Sequence, residues 1–407
     1  MLQIAFDNKF SILLIFQKTH NMYPRISDFI NDMFGTDINL PIQSYGFFLA
    51  LAFLTAALLL GHELARKEKE GLIAPSIKKT LIGKPASILE LIITFVISLL
   101  IGYKISGIIV YYDLMVANPQ GFVFSSEGSF IGGLIIAIAF TYYQYYFKNK
   151  QKLPVPEWKE VIVPAKDQVW PIVFIAVIFG IVGAKIFHQL ENLDEFMRDP
   201  IGSMMSFSGL TFYGGLIVAA FAVIIYAKKH NIAWQHIADS VAPSLIIAYG
   251  IGRIGCQVSG DGDWGIINTM AQPGWLSFLP EWTWAYNYPH NILNQGIPIE
   301  GCAGSHCFQL AEPVFPTPIY ETTMSLLIFA FLWSIRKKLK VPGSLFAIYL
   351  MFNGAERFLI EKIRVNNIFD FLGMKVTQAE IISTVLFLIG LILLIILNFR
   401  YKKEMLE

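Results

Sequence analysis

Nine long apolar stretches run through this sequence of 407 residues, and each is long enough to cross a lipid bilayer as a helix. Because a backbone inside lipid has no water to bond with, it must satisfy its own hydrogen bonds, and an α-helix does so within one segment. Only 15% of the residues are charged, where a soluble domain has about 25%. The sequence therefore predicts an all-α, polytopic helical bundle in a membrane, with about nine spans. The predicted spans lie near residues 43–61, 87–111, 129–147, 169–188, 209–227, 236–256, 319–335, 343–363 and 379–399.

The basic residues are concentrated in alternate connections between these spans. By the positive-inside rule, this pattern predicts an N-terminus outside and a C-terminus in the cytoplasm. One outer connection, residues 364–378, breaks the pattern with Arg364 and Lys375, and it needs a local explanation. The formal net charge of +1 gives no reason to expect a nucleic-acid partner. The basic segments are 62–86, 148–168, 228–229, 336–340 and 400–403.

The same pattern predicts how the chain is divided. We expect residues 1–42 to form an extracytoplasmic N-terminal segment and residues 43–407 to form one transmembrane domain. No convincing signal peptide is visible, and Met22 offers an alternative start. Residues 257–319 contain no Lys or Arg and would form an extracytoplasmic cap. The many Trp and Tyr residues of this cap fit either an aromatic belt at the membrane surface or a lid that faces a substrate.

Two of the three cysteines, Cys302 and Cys307, bracket a short loop in the cap. If the cap faces an oxidising compartment, we expect these two residues to form a disulfide. A metal site that includes His306 is the weaker alternative, because too few further ligands lie nearby in the sequence.

Two stretches look alike and suggest a duplicated helix pair. Residues 102–137 and 183–219 each begin with Gly-x-Lys-Ile and end near Phe-x-Gly-Gly-Leu-Ile, at an offset of 81–82 residues. The pair near 87–148 would then be an inserted copy, and the nine spans would be seven plus this pair. Chance similarity between apolar segments is the alternative.

Charged residues in or beside membrane spans are candidates for a functional site, because placing a charge in lipid is costly. Arg253 lies near the outer end of the sixth span, among Gly250, Gly252 and Gly255. The glycines would let a ligand approach the guanidinium, whose planar fork suits phosphate. The alternative is an interfacial arginine that reaches up to the lipid headgroups.

A second charged group lies at the outer end of the eighth span. Arg357, Glu361 and Arg364 are spaced i, i+4 and i+7, so they share one helical face. This group indicates either a polar cavity that binds an anion or an ion pair between Arg357 and Glu361 that holds helices together. The two interpretations are compatible with each other.

Two further motifs lie at the same outer face. Gly214 and Gly215 begin a helix, where free backbone N–H groups can meet an anion, although glycine pairs also allow close helix packing. Tyr320 and Glu321 begin the seventh span, where tyrosine is commonly an interfacial anchor. The charged and glycine-rich motifs thus gather at one membrane surface, and a phospholipid headgroup is the obvious anion there.

The order of these motifs resembles that of the bacterial prolipoprotein diacylglyceryl transferases. The resemblance covers most of residues 40–400 apart from the segment near 87–148, and its most specific part is Gly-Arg-Ile-Gly followed by a glycine-rich Trp-Gly. The motifs are Tyr-Gly at 45–46, Gly-x-Lys at 183–185, Phe-x-Gly-Gly-Leu at 212–216, Ala-Pro at 242–243, Gly-Arg-x-Gly at 252–255, Pro-x-x-x-Tyr-Glu at 316–321 and Arg-x-x-x-Glu-x-x-Arg at 357–364.

The resemblance implies that the diacylglyceryl group of phosphatidylglycerol moves to the thiol of the lipobox cysteine in a prolipoprotein signal peptide, with release of glycerol 1-phosphate. It implies no metal and no soluble cofactor. It also implies a multi-pass protein of the bacterial cytoplasmic (inner) membrane, in contact with the lipid bilayer, whose active site faces the extracytoplasmic side. Arg253 and Arg357 would bind the phosphate, and Tyr213 and Glu361 complete the implied catalytic set. The implied substrate-binding residues are Tyr45, Gly214, Gly215, Gly252, Gly255, Gly265, Tyr320, Glu321 and Arg364.

Two residues depart from the family pattern. Tyr213 stands where many members have a histidine proposed as the base, and Cys256 stands where asparagine is common. An unperturbed tyrosine titrates near 10, so Tyr213 is a poor base at neutral pH and could instead hydrogen-bond the headgroup. The alternative bases are Glu361, Asp261 and Asp263.

Two functions of other classes are compatible with the same residues. A transporter for an anionic solute would also place arginines in a cavity, although transporters commonly bind near the membrane midplane. A non-catalytic membrane scaffold is the other alternative, and the tyrosine at position 213 is the one feature that supports it.

Overall fold

The computed structural model describes residues 21–40, 42–206, 209, 211–371 and 373–404, so the possible start at Met1 lies outside the described residues. The described chain is mainly helical, with short strands that pair as β1–β2, β3–β4 and β5–β6. In chain order the helices are α1 (Ile26–Phe34), α2 (Ser44–Lys69), α3 (Ile88–Val110), α4 (Tyr112–Ala117), α5 (Pro119–Phe124), α6 (Phe130–Lys150), α7 (Val169–Glu191), α8 (Leu193–Arg198), α9 (Pro200–Met205), α10 (Phe212–Lys229), α11 (Trp234–Ser259), α12 (Thr317–Ile335), α13 (Ser344–Glu361) and α14 (Gln378–Glu404). The strands are β1 (Ser76–Ile82), β2 (Glu157–Val163), β3 (Ile297–Pro298), β4 (Phe308–Gln309), β5 (Ile368–Phe371) and β6 (Met374–Thr377).

Each of the nine predicted spans coincides with one long helix: α2, α3, α6, α7 and α10 to α14. Within the described residues, seven of these helices are long and apolar enough to cross a membrane. The helices α10 and α13 are not among the seven. In α13, Glu356, Arg357 and Glu361 interrupt the apolar sequence. The prediction of a polytopic helical membrane protein is confirmed, and the exact number of spans stays a prediction.

The chain forms two compact units. One unit contains the chain up to Phe29 together with Gln43–Ser76 and Pro164–Glu407, and the other contains Ile30–Ile42 and Ile77–Val163. In the first unit, α11 packs against α2, α12 and α13, α7 packs against α10, and α14 packs against α13. In the second unit, α3 packs along α6. The candidate site residues all belong to the first unit.

The two helix pairs that resemble each other in sequence also share local structure. The side chains of Asn118 and Asp199 cap the short helices α5 and α9 in the same way, each followed by a proline in the first turn. Lys104, near the end of α3, donates to three backbone carbonyls before α6, and Lys185, in α7, donates to the carbonyl of Ser203. Equivalent residues therefore make similar contacts within each pair, which supports the interpretation of a duplication.

Local sequence sets the helix ends that later meet at the site. Helix α11 ends where Gly260 adopts a φ of +61°, a left-handed conformation that glycine tolerates. Helix α12 starts with proline in its first turn, where the missing N–H costs nothing. Helix α13 begins after Gly343, whose N–H donates to the buried carboxylate of Asp239 at 2.7 Å. This contact ties the start of α13 to α11.

The cap has an apolar core of its own. Tyr288 is fully buried, with its ring 5.0 Å from that of Trp264 and 4.8 Å from that of Tyr286. By contrast, Trp275 is 74% exposed. The sequence left open whether these aromatics form a membrane belt or a substrate lid, and in the structure several of them instead hold the cap together. Burial of aromatic area explains how so long a segment with so few regular elements keeps a defined shape.

Cys302 and Cys307 form a disulfide, as predicted, and it closes the short loop of the cap. The alternative of a metal site with His306 is not what the structure contains, since both sulfur atoms are used in the bond. Cys256 is a free and buried cysteine at the end of α11.

We expect the disulfide to control how many thiols react with a maleimide after denaturation. One label per chain, at Cys256, should be found without reductant, and three after reduction, because the chain has three cysteines. The protein would be taken from membranes under conditions that prevent thiol exchange, and intact-mass spectrometry would count the labels. The control is Cys302→Ser, which should show two labels without reductant. Three labels on the unreduced wild type would contradict the disulfide.

Candidate active site

A single buried carboxylate stands at the centre of the site. Glu321, in the first turns of α12, has no exposed surface. Its oxygens pair with Nε of Arg253 at 3.2 Å and with Nη1 of both Arg357 and Arg364 at 3.4 Å. The hydroxyl of Tyr249 donates to the same carboxylate at 2.9 Å. The end of α11, the start of α12 and the end of α13 therefore meet around one negative charge.

Asp263 forms a second bridge between two of these arginines. Its carboxylate pairs with Nη1 of Arg253 and, at 2.6 Å, with Nη2 of Arg364. The hydroxyl of Thr317 donates to the Asp263 carbonyl at 2.6 Å, which fixes the loop after α11 against α12. Burial alone would raise the pKa of Asp263, but the two guanidinium groups lower it below its ordinary value. Asp263 is thus held as an ion-pair partner and is a poor base.

Asp261 is less engaged than Asp263. One of its carboxylate oxygens accepts the Asp263 N–H at 3.3 Å, and the thiol of Cys256 is a further hydrogen-bond partner. Burial, together with the nearby charge of Asp263, raises the pKa of Asp261 above its ordinary value. A higher pKa makes the ionised carboxylate a stronger proton acceptor.

Cys256, Asp261 and Asp263 are also the one group of potential metal ligands that lies close enough together within the described residues, with ligand atoms inside 4.8 Å of one another. The carboxylate of Asp263 already pairs with two guanidinium groups. A cation would have to compete with both of them, so we do not propose a metal here.

Arg357 carries the third part of the network. Its Nη2 lies 3.0 Å from the carboxylate of Glu361, which also accepts from the side-chain amide of Asn366 at 2.6 Å. Tyr213, at the start of α10, hydrogen-bonds the guanidinium of Arg357. The ion pair between Arg357 and Glu361 that the spacing predicted is present, and the same arginine also joins the cluster around Glu321. The two interpretations of this motif therefore hold together.

Gly265 is required by a close approach of two backbones. It forms an isolated bridge with Arg364, and a Cβ atom at this position would lie only 2.3 Å from the carbonyl oxygen of Ile363. Gly265 thus positions the arginine through the backbone, and its predicted contact with the substrate stays a prediction. Gly255 faces Phe48 of α2, where an added Cβ would lie 3.0 Å from the side chain, while Gly252 faces open space.

Three of the predicted substrate-binding residues contact other parts of the protein. A Cβ on Gly214 would lie 2.3 Å from that of Phe187, and one on Gly215 would lie 2.8 Å from the carbonyl oxygen of Gly180, so this glycine pair packs α10 against α7. The Tyr320 hydroxyl donates to a carbonyl of the cap at 2.9 Å. The predicted ligand contacts of these three residues stay untested predictions.

Tyr45 is better placed for a ligand. It stands at the start of α2, beside Gly255, with 41% of its surface exposed. Its phenol interacts electrostatically with Arg253 and with Cys256. Tyr45 therefore borders the charged cluster from the α2 side.

The sequence prediction missed two residues of the cluster. Tyr249 lies four residues before Arg253, so both share one face of α11, and the guanidinium carbon lies 4.9 Å from the centre of the tyrosine ring. Glu356, directly before Arg357, is buried, with 3% of its surface exposed. The sequence could have indicated Glu356, because it is a charged residue inside a predicted span. It could have indicated Tyr249 through its spacing of four residues from Arg253.

The site thus defines a helical membrane protein that gathers three arginines around buried carboxylates at one end of its helices. The family model described as prolipoprotein diacylglyceryl transferase matches residues 133–396. The chain belongs to this family, which is a family of transferases. The match includes every charged residue of the site and begins within α6, so it does not extend to Tyr45.

Several curated proteins are similar to this chain. A protein of Staphylococcus haemolyticus named phosphatidylglycerol–prolipoprotein diacylglyceryl transferase is 30% identical over 244 residues, which is 59% of this chain and 77% of that protein. A protein of Streptococcus pyogenes with the same name is 30% identical over 236 residues, which is 57% of this chain and 79% of that protein. A third, from Bifidobacterium adolescentis, is 29% identical over 241 residues, or 57% of this chain and 66% of that protein.

Replacing Glu321 with glutamine should destabilise the protein by about 3 kcal/mol, because three guanidinium groups would lose a shared buried counter-charge. The free energy of unfolding could be measured by SDS titration of the detergent-solubilised protein. Glu300→Gln is the matched control: Glu300 is an exposed carboxylate of the cap, and this change should cost no more than about 0.5 kcal/mol. Equal stability of the two variants would show that Glu321 is not the structural centre of the site.

Proposed function

We propose that this protein transfers the diacylglyceryl group of phosphatidylglycerol to the lipobox cysteine thiol of prolipoproteins and releases glycerol 1-phosphate, the first step of bacterial lipoprotein maturation. The observation that carries the proposal is the cluster of Arg253, Arg357 and Arg364 at one end of the bundle, in a chain of this family. The names of its relatives agree with both substrates.

The arginines are arranged to receive a phosphate. They pair with three carboxylates, those of Asp263, Glu321 and Glu361, which hold the guanidinium groups in place. Nη2 of Arg253 donates no hydrogen bond to any residue that the structure describes. This donor is therefore available for a phosphate oxygen, and Gly252 nearby leaves open space for the headgroup.

The reaction places its developing charge where these donors are. The thiolate sulfur would attack the glyceryl carbon of the lipid, the C–O bond to the phosphate would break, and the phosphate oxygen would take the electron pair. Fixed guanidinium groups in a site with little water stabilise that charge without having to reorganise. Glu321 and Asp263 orient the arginines before the lipid binds. Binding of the lipid therefore does not have to order these side chains.

The incoming thiol must lose its proton before it attacks. Of the bases considered from the sequence, Asp263 pairs with two arginines and Glu361 is bound by Arg357 and Asn366. Asp261 is the least engaged of the three carboxylates, and we propose it as the acceptor of the thiol proton. Tyr213, which hydrogen-bonds Arg357, would help to orient that guanidinium and contact the headgroup.

We further propose that the protein lies in the bacterial cytoplasmic membrane with this site on the extracytoplasmic side. The basic connections between spans support this orientation. The disulfide in the cap supports it too, because disulfides persist in oxidising compartments. Transporters commonly bind their solute near the membrane midplane, whereas this cluster lies at helix ends. Its position therefore argues against the alternative of an anion transporter.

Transfer can be tested with purified protein, phosphatidylglycerol and a lipobox peptide that is followed by mass spectrometry. The wild type should add one diacylglyceryl group to the peptide, and Arg253→Ala should lower the rate by a factor of about 100 or more, as expected for a lost donor to a developing charge. Tyr213→Phe should retain most activity if the tyrosine orients Arg357, and should lose it if the hydroxyl takes part in proton transfer.

The matched control for the lost positive charge is Lys338→Ala, an exposed basic residue after α12 that should leave the rate unchanged. Unmodified peptide from a folded wild type that binds the lipid would overturn the transferase proposal. Flux of an anionic solute into vesicles that contain the protein and no lipoprotein would then favour the transporter, and its absence the scaffold.

A further inference from the structure

One carboxyl beside the arginine cluster has no partner among the described residues. Glu356 lies in α13, one residue before Arg357, and 3% of its surface is exposed. Both of its carboxylate oxygens are buried and make no hydrogen bond within the described part of the chain. All other carboxylates around the arginines are bound by at least one donor. Single atoms of Glu321, Glu361 and Arg364 also lack a hydrogen bond, but Glu356 is the one carboxyl of this group in the described residues with neither oxygen bound.

A second unpartnered polar group lies in the same interior. Ser325, one helical turn after Glu321 in α12, is fully buried, and its hydroxyl also lacks a partner in the described residues. An added Cβ on Gly250 of α11 would lie 3.0 Å from the Ser325 Cβ, so α11 and α12 are close together here. Other buried polar atoms in the described chain also lack a partner, but Glu356 is the one residue beside the arginines whose whole carboxyl does, and such a group calls for an explanation.

Charged and titratable groups from every neighbouring element face Glu356. Electrostatic interactions reach it from Glu321 of α12, from Tyr249 and Arg253 of α11, and from Tyr213 of α10. Further electrostatic interactions with Glu356 come from Arg357 and Tyr349 of α13 and from Arg364, which follows that helix. Helix α14 also packs against α13, and its titratable residue at this end, Glu380, pairs with Lys362.

An unpaired carboxylate in such a position would be costly, because burial removes its hydration and no donor replaces it. The neutral acid is the form that this environment accommodates. A buried neutral acid beside a phosphate-binding cluster has the position and the proton that a leaving phosphate needs, and two carboxyls in contrasting environments are a recurrent basis for separate acid and base roles.

We propose that Glu356 is the general acid of the transfer reaction, an inference that rests on the function proposed above. As the thiolate sulfur bonds to the glyceryl carbon, the C–O bond breaks, and the proton of Glu356 passes to the departing phosphate oxygen. The thiol proton, taken up at the start, then returns to the Glu356 carboxylate by way of the site. The sum is one proton moved from thiol to glycerol phosphate, with no other reactant consumed.

The test is the pH dependence of kcat for wild type and Glu356→Gln, in the same peptide assay. The glutamine keeps the shape and cannot donate an acidic proton. We expect kcat to fall by a factor of about 100 or more, within the range for general acid–base catalysis. KM for phosphatidylglycerol should stay within roughly threefold, since the arginines still bind the headgroup. The fall of the wild-type kcat on the alkaline side should be missing in the variant.

Two further variants separate chemistry from packing. Glu356→Asp retains an acid and should recover the alkaline fall together with part of the rate. Glu300→Gln makes the same chemical change at an exposed carboxylate of the cap, and it should match the wild type in rate and pH profile. A glutamine variant that is as active as the wild type, with the same profile, would overturn the proposal and leave the transferase function intact.

If the glutamine variant does not fold, as judged by its thermal unfolding, the wild type and Glu356→Asp still decide. A wild-type kcat without any alkaline fall would overturn the general-acid role by itself. An inactive wild type would instead remove the transferase proposal on which this inference rests, so the two failures give different results.

Discussion

The burial of Glu321 is the interaction on which the rest of the site depends. A carboxylate without any exposed surface is stable only if donors replace its lost hydration, and here three guanidinium groups and one phenol do so. These donors come from α11, from α13 and from the segment after α13. One buried charge therefore forces three helix ends, distant in sequence, to meet. The three arginines proposed to bind the phosphate are thus placed by a group that stabilises the fold.

The opposite ends of the same helices are fixed by a second set of buried charges. Glu63 of α2 is fully buried and pairs with Arg336 after α12 at 2.7 Å. Asp239 of α11 accepts the N–H groups of Gly343 at 2.7 Å and of Phe346 at 2.9 Å, which caps α13. Helix α13 is thus attached to its neighbours at both ends. This double attachment explains how Arg357 and Glu356 are held in place although three charged residues interrupt the apolar sequence of the helix.

The sequence predicted the elements of this structure better than the contacts between them. Apolar length alone located all nine long helices, because lipid permits little else. Helical spacing correctly paired Arg357 with Glu361, which lie one turn apart in α13. The predicted helical face does not extend to Arg364, because α13 ends at Glu361, and Arg364 joins the cluster through Glu321 instead. The pairing of Glu321 with Arg253 depends on how α11 packs on α12, which spacing along one helix cannot reveal.

The sequence left two uses of one residue type open at other positions. A glycine pair at a helix start suits an anion and suits a neighbouring helix equally well, and only the position of α7 decides that Gly214 and Gly215 pack. The aromatic residues of the cap are similar, because Trp and Tyr are favoured both at membrane interfaces and in small cores. Tyr288 lies in a core because Met22, Tyr286 and Val314 pack around it in the cap.

The tyrosine at position 213 is the reason why we propose carboxyls for the proton transfers. Its phenol hydrogen-bonds Arg357, and a phenol ordinarily holds its proton well above neutral pH, so it orients the guanidinium more readily than it removes a proton. The carboxyls around it differ in what surrounds them. Asp261 is reached by the donors of a loop at the rim, whereas Glu356 lies inside the bundle without a donor. A carboxyl that keeps hydrogen-bond donors at the rim can accept a proton, and a buried carboxyl without a donor keeps its own. The two proposed roles of base and acid therefore need no histidine between them.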